Sequence, residues 1–139
     1  SGSWLGYTFD HHAAIIRRIE QKHRVGICLD TCHAYAAGYD LGAESGYIRL
    51  MDEIEQSVGL KKLELVHFND TRDPLGSHRD RHEHIGKGNI TLAGFRRMVN
   101  DKRLANAAFI LETPKDSDTA DEKNLRIVRR LMKHAGHKG

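Results

Sequence analysis

Long apolar runs are missing from this sequence. No stretch of its 139 residues approaches the roughly 18 consecutive apolar positions of a bilayer span, so no membrane partner is expected. A secretory leader is missing too. Ser1-Gly2-Ser3-Trp4 has no basic segment followed by an apolar one. An initiating Met is also absent, and Ser1-Gly2-Ser3 reads as a remnant of cloning, as expected of a cut chain. Cysteine is scarce: Cys28 and Cys32 are the only two, too few and too close together for a disulfide framework. That scarcity points to an intracellular, cytoplasmic setting. No internal repeat, low-complexity tract or linker interrupts the chain, and only residues 136–139 read as a loose tail.

What is present suits one domain spanning 1–139, with 39% hydrophobic and 29% charged residues. A net charge of +3 favours an anionic partner only weakly, because many ordinary enzymes are this basic. Ten histidines are the unusual feature, since histidine is the commonest metal ligand.

Periodicity orders the elements. Ala13, Ala14, Ile15, Ile16 and Ile19 share one side of a helix over 10–21. Residues 25–29 form a short branched apolar run, typical of a buried strand. Tyr47, Met51, Ile54 and Val58 recur at helical spacing, with Gly59 as the stop. A second strand covers 63–66. Residues 69–90 form a long polar loop. Leu92, Phe95, Met98 and Val99 mark a third helix capped by Asn89 or Thr91. A third strand covers 107–111, and a last helix carries Leu125, Val128, Leu131 and Met132. Alternation of this kind predicts an α/β fold with a parallel sheet and helices packed on its faces. An open sheet and part of a (β/α)8 barrel both fit. In either, chemistry gathers at the C-terminal ends of the strands.

Those ends carry metal-binding side chains. The first strand ends in Asp30, with His33 three positions on; the second ends at His67; the third ends at Glu112. The loop adds Asp80-Arg81-His82, whose first and third side chains point the same way in an extended segment. This nitrogen and oxygen donor set suits zinc or manganese and lacks the thiolates of a structural zinc finger. Each residue also has a plainer reading: Asp30 could cap the next turn, Glu112 could be an internal ion-pair partner, and a histidine at a strand end could be an ordinary polar residue. Six such residues on one edge favour the metal. Cys28 is expected to point into the core as a small hydrophobe. Cys32, between two proposed ligands, is set aside as a ligand. His11, His12, His23, His78, His84, His134 and His137 are expected on the surface or behind the ligands, with His78 and His84 near phosphate. Arg72, Arg79, Arg81, Lys87 and Ser77 give the loop groups that suit phosphate oxygens, although an ordinary solvated loop would look the same.

Three segments resemble the endonuclease IV family. They are Gly26-Ile27-Cys28-Leu29-Asp30-Thr31-Cys32-His33, the run from His67-Phe68-Asn69-Asp70 through Asp80-Arg81-His82-Glu83-His84-Ile85-Gly86-Lys87-Gly88, and Ile110-Leu111-Glu112-Thr113-Pro114. The resemblance implies the C-terminal portion, about the last three βα units, of a (β/α)8 TIM barrel. A complete family member is about twice this length. The family's barrel holds up to three zinc ions, cuts DNA on the 5′ side of abasic sites in base excision repair, and trims blocked 3′ ends. By position, Asp30, His67 and Glu112 match ligands of one zinc, and they would act catalytically through the bound metals. His33, Asp80 and His82 match the protein ligands of another. Arg81, Arg79, Ser77 and Asn69 match the segment that meets damaged double-stranded DNA. The ligands of the third zinc, with a bridging glutamate, have no counterpart here.

The resemblance further implies that family members are mostly monomeric, whereas an open barrel piece would expose an unpaired sheet and self-associate. Two alternatives stay open. One is a metal-dependent sugar isomerase or epimerase on a related barrel, which would not need Asp80-Arg81-His82. The other is a non-catalytic zinc- and DNA-binding fragment.

Overall fold

A computed structural model describes residues 9–133 of the chain. The expectations for the N-terminal remnant, the tail, His134 and His137 lie outside the described residues.

Three parallel strands form the sheet in the order β1 (Ile27–Asp30), β2 (Leu63–His67), β5 (Ala108–Ile110). The register sets Asp30 beside His67 and His67 beside Ile110, so all three strands stop at one rim. α1 (Phe9–Arg17) precedes β1, α3 (Glu44–Ser57) leads to β2, α4 (Thr91–Val99) leads to β5, and α5 (Ala120–Leu131) closes the order. The fold is the expected α/β alternation, with strands that run parallel as predicted.

Helices cover one face of this sheet. α3 presents Tyr47, Leu50, Met51 and Ile54, spaced as one helical stripe, and all four are buried. They share a core with Ile27, Leu29, Val66 and Phe68 from the sheet and with Phe95, Met98, Val128 and Leu131 from α4 and α5. Phe68 lies just past β2 and meets Phe95 and Phe109 edge-on, at ring separations of 4.7 and 5.1 Å. Each such pair adds about 0.5–1.5 kcal/mol beyond area burial, which locks the end of β2 against α4 and β5. Gly59 ends α3 as expected: at φ +87° it takes the left-handed turn that L side chains resist, and its N–H donates to the Ile54 carbonyl at 2.8 Å.

The second face corrects the expectation for Cys28. That side chain is exposed, not buried in the core. Strand side chains alternate, so Ile27 and Leu29 take the helix-covered face and Cys28 takes the other, in register with Leu65 and Ala108. Ile110, in the next row, is 44% exposed. The forecast of helices on both faces fails for the same reason.

Local bounds also differ. α1 ends at Arg17, so Ile19 falls beyond it. A short helix absent from the forecast, α2 (Thr31–Ala36), starts directly off β1. The long loop is not structureless: β3 (Asp70–Thr71) and β4 (His82–Glu83) pair antiparallel at its base. Neither Asn89 nor Thr91 caps α4. The Asp70 carboxylate does so from a distance, accepting from Ile90 N, and it also takes the N–H groups of Thr71, Gly86 and Gly88 at 2.9–3.0 Å. Gly88 is required here, because a Cβ would come within 2.2 Å of the Thr71 carbonyl oxygen.

Among the described residues, β1 and β5 each leave one edge unpaired beside the uncovered face. Exposed edges of this kind promote association. Sedimentation velocity should therefore show concentration-dependent association of the chain on its own, reduced by Ile110→Lys. A monodisperse monomer at all concentrations would contradict this account of the face.

Candidate metal centre

β1 delivers Asp30 to the rim, and the fold uses its two oxygens differently. Oδ1 caps α2 by accepting from His33 N at 2.9 Å. Oδ2 faces two imidazoles, His82 Nε2 at 3.5 Å and His67 Nδ1 at 3.9 Å. The capping reading holds, and the cap fixes the rotamer that turns Oδ2 toward the imidazoles.

Glu112 arrives two residues beyond β5. Its Oε1 lies 2.6 Å from His67 Nδ1, and its backbone N–H donates to Asn69 Oδ1 at 2.7 Å. Asn69 in turn donates its own N–H to the Thr31 hydroxyl, which donates onward to the Asn69 and His67 carbonyls. Asn69 was expected against DNA. It is fully enclosed, at 0% exposure, so that role is corrected: the side chain aligns Glu112 instead of reaching the surface.

The loop supplies the rest. Its tip docks on the C-terminus of α2, where Gly76 N and His78 N donate to the Tyr35 and Ala36 carbonyls at 3.1 Å. These contacts add donors to the last carbonyls of α2, where the Tyr35 carbonyl also accepts from Gly38 N, and bring Asp80 beside His33. Asp80 Oδ2 is 3.7 Å from His33 Nδ1, and Oδ1 is 3.3 Å from His82 Nε2. The expectation that Asp80 and His82 share a direction fits this approach. All six predicted ligand residues are therefore joined by neighbouring side chains on one rim.

His82 makes the sharpest test of whether a cation fits. Its Nδ1 lies 2.9 Å from the Glu112 carbonyl oxygen, which can only accept, so Nδ1 carries the proton. In the neutral ring, Nε2 is then a bare lone pair aimed between Asp30 and Asp80. A cation placed there would meet three donors, this nitrogen and the Asp30 and Asp80 carboxylates. The carbonyl behind the ring is the usual way that a metal-binding histidine is oriented. Two donors held about 2.0–2.1 Å from a tetrahedral zinc stand roughly 3.3 Å apart, close to the separations here. Burial, with the Asp80 charge adding to it, raises the Asp30 carboxyl above its usual range despite the His33 N–H and both imidazoles.

The sequence reading missed two contributors. Cys32, fully buried, has its sulfur in the group formed with Asp30, Asp80 and His82, whose ligand atoms all lie within 4.8 Å of one another. Burial pushes its thiol up to about 12. Thr31, also buried, brackets the strand ends. Both lie inside the first motif, but only a helix beginning at Thr31 turns them inward.

The arginines behave unevenly. Arg81 binds Asp73 through Nε, at 2.9 Å, and through Nη2. This hydrogen bonding holds the Asp73 carboxyl below its usual range. The pair is present above the ordinary carboxylate pKa of about 4 and is lost as pH falls through the depressed value. Arg72 donates to the His82 carbonyl at 3.0 Å and braces β4. Arg79 and Ser77 are joined by a backbone-to-hydroxyl bond at 3.2 Å on the exposed loop. His84 lies behind the ligands, held between Asp116 and Asn124 at 2.8 and 2.9 Å.

Comparison with known proteins gives a consistent set of matches. The family model described as xylose isomerase-like TIM barrel matches residues 1–135. A probable endonuclease 4 of Chloroflexus aurantiacus is 44% identical over 135 residues, which are 96% of this chain and 47% of that protein. The one from Geobacter sulfurreducens is 46% identical over 133 residues, 95% of this chain and 45% of the relative. The crystal structure of endonuclease IV from Thermus thermophilus superposes with a TM-score of 0.80 at 37% identity, covering 94% of this chain and 46% of that one. The chain thus spans about half the length of the curated relatives it matches.

If the rim holds metal, the chain dialysed against trace zinc should retain at least one ion. His33→Ala combined with His82→Ala should release the share held by the loop side. Less than one ion per chain in the parent, unchanged in the double variant, would exclude a site at His33, Asp80 and His82.

Proposed function

The chain belongs to the xylose isomerase-like TIM barrel family, and from that premise we propose that it is the zinc-binding part of an endonuclease IV-type nuclease. The reaction is hydrolysis of the DNA phosphodiester 5′ to abasic sites in base excision repair, with a 3′ repair phosphodiesterase activity. The observation that carries this reading is the convergence of Asp30, His33, His67, Asp80, His82 and Glu112 on one rim, in a chain 44% identical to a probable endonuclease 4. Residues 1–139 act as one domain of the C-terminal portion of the barrel, in an intracellular setting. A sugar isomerase would leave the Asp80-Arg81-His82 segment without a purpose, so the nuclease reading is preferred.

Asp30, His67 and Glu112 would hold one ion, and His33, Asp80 and His82 a second. Manganese suits the same donors. When bound, zinc supplies Lewis-acid polarisation of a phosphoryl oxygen and an acidified water. The chain's own residues do the rest. Asp30 and Asp80 bring negative charge that fixes cations at the rim. His82, oriented through Nδ1, presents a nitrogen that cannot rotate away. Damaged double-stranded DNA would lie along the loop, its phosphates against Arg81, Arg79 and Ser77. Asp73 preorganises Arg81 for that contact by holding one edge of the guanidinium.

Two outcomes follow. In an active, complete form of the enzyme, Arg81→Ala should weaken DNA binding, lower the salt slope by about one, and leave zinc content intact. Unchanged affinity and slope would make Arg81 only a brace for Asp73. The chain alone should cut a duplex with one abasic analogue poorly, because ligands on an open sheet lack the rigid frame that catalysis needs. A misplacement near 1 Å can cost about 100-fold in rate. Mixing with the remaining segment of a longer relative should restore cutting. No metal-dependent cutting by the mixture or by a joined form would sink the nuclease reading.

A further inference from the structure

We propose that His84 is a positioning residue for the metal centre: its imidazole clamps the ligand loop to the connection that follows β5, and so fixes where His82 stands relative to Glu112. This role rests on the metal reading above and adds to it a side chain outside the six ligand residues.

The two ion sites draw on different elements. Glu112 stands on the connection between β5 and α5, and His82 stands on β4 of the loop. Among the described residues, hydrogen bonds join that connection to the loop at two points. One is the Glu112 carbonyl against His82 Nδ1, at 2.9 Å. The other is the Asp116 carboxylate, whose Oδ2 lies 2.8 Å from His84 Nε2. His82 and His84 are two positions apart, so in an extended segment their side chains leave on the same side and meet one stretch of chain together. A single bond at Glu112 would leave the connection free to pivot about it. The second bond, at Asp116, removes that freedom.

A buried neighbour sets the hydrogens of the His84 ring. Nδ1 lies 2.9 Å from Nδ2 of Asn124, a residue of α5 that is 1% exposed. The Asn124 amide cannot be turned over. Its Oδ1 accepts from Ile85 N at 2.9 Å, and its Nδ2 donates to the Ala120 carbonyl at 2.9 Å. Exchanging the two atoms would set donor against donor at Ile85 and oxygen against oxygen at Ala120. Nδ2 therefore donates to His84 Nδ1, and the ring proton sits on Nε2, where it donates to Asp116. The backbone is held as well: His84 N donates to Glu83 Oε1, and the His84 carbonyl accepts from Lys87 N, both at 2.9 Å. Ring, tautomer and backbone are thus fixed with the help of a helix that carries none of the ligands. Outer groups that orient ligands typically govern metal affinity by 10–100-fold. His84 acts on His82 and Glu112 through the backbone, which places it at the low end.

The test is zinc affinity of the full chain, by competition with a chromophoric chelator, for the parent, His84→Ala, His84→Gln and Asp116→Ala, with circular dichroism as the fold control. His84→Ala should weaken binding by about tenfold. His84→Gln offers an acceptor to Asn124 and a donor to Asp116, and should recover most of that loss. The Asp116 side chain is 63% exposed, so its removal opens no core. Asp116→Ala should weaken binding to a similar extent, and the double variant should lose little more, since the two residues share one interaction. Both alanine variants binding zinc like the parent, even with a lower Tm, would overturn the proposal by reducing the clamp to a stabilising contact. So would His84→Gln binding as weakly as His84→Ala, which marks ring packing, or losses that add in full. If His84→Ala does not fold, Asp116→Ala decides: parent-like affinity overturns the clamp, and a loss near tenfold supports it. A parent that binds no zinc at all would bring down the metal reading and the clamp with it.

Discussion

Three strand ends meet at one buried side chain, Asn69, and the geometry of the rim depends on it. Its Oδ1 holds the Glu112 N–H, and its backbone N–H and carbonyl both engage the Thr31 hydroxyl. β1, β2 and β5 would otherwise diverge at the point where their ladder of backbone bonds stops. Asn69 replaces the next rung with side-chain bonds, at about 0.5–1.5 kcal/mol each and more where loss leaves a partner buried and unmet. Its Nδ2 is buried and has no hydrogen-bond partner among the described residues. The same logic governs Asp70, which ties four backbone N–H groups at the base of the loop.

From that bracket the electrostatics follow. Acidic and imidazole side chains are carried by strands whose ends are tied through Asn69 and Thr31, and the loop carrying Asp80 and His82 is held at Asp70 and at the α2 terminus. Negative charge is thereby concentrated where, among the described residues, its ion-pair partners are histidines. His82 gives its Nδ1 proton to the Glu112 carbonyl, which turns Nε2 toward Asp30 and Asp80. A cation is the natural completion of such a site. Family membership and the charge balance of the rim point independently to the same chemistry.

Much of this was legible in the sequence. Branched runs and helical stripes marked the three strands and four of the helices, because burial on one face imposes those periods. The candidate ligand residues were legible from position: Asp30 and His67 end β1 and β2, His33 and Glu112 come shortly after β1 and β5, and Asp80 and His82 stand in the polar loop. What stayed hidden is of two kinds. α2 could not be read, since six residues starting at Thr31 show no recognisable stripe, and without it Cys32 and Thr31 looked like bystanders. Long-range polar pairing was invisible as well: Asp70 capping α4 and Asn69 reaching Glu112 span 20 and 43 positions. Cys28 was misread because an apolar strand was assumed to be covered on both sides. Its exposure reflects a sheet with helices on one face only.

The central claim is that the rim is one preformed metal centre built from six side chains. Anomalous diffraction at the zinc edge, on crystals of the chain grown with zinc, tests it most directly. The account predicts one peak among Asp30, His67 and Glu112 and another among His33, Asp80 and His82. Absence of both peaks, with zinc bound only at surface histidines away from the rim, would contradict it.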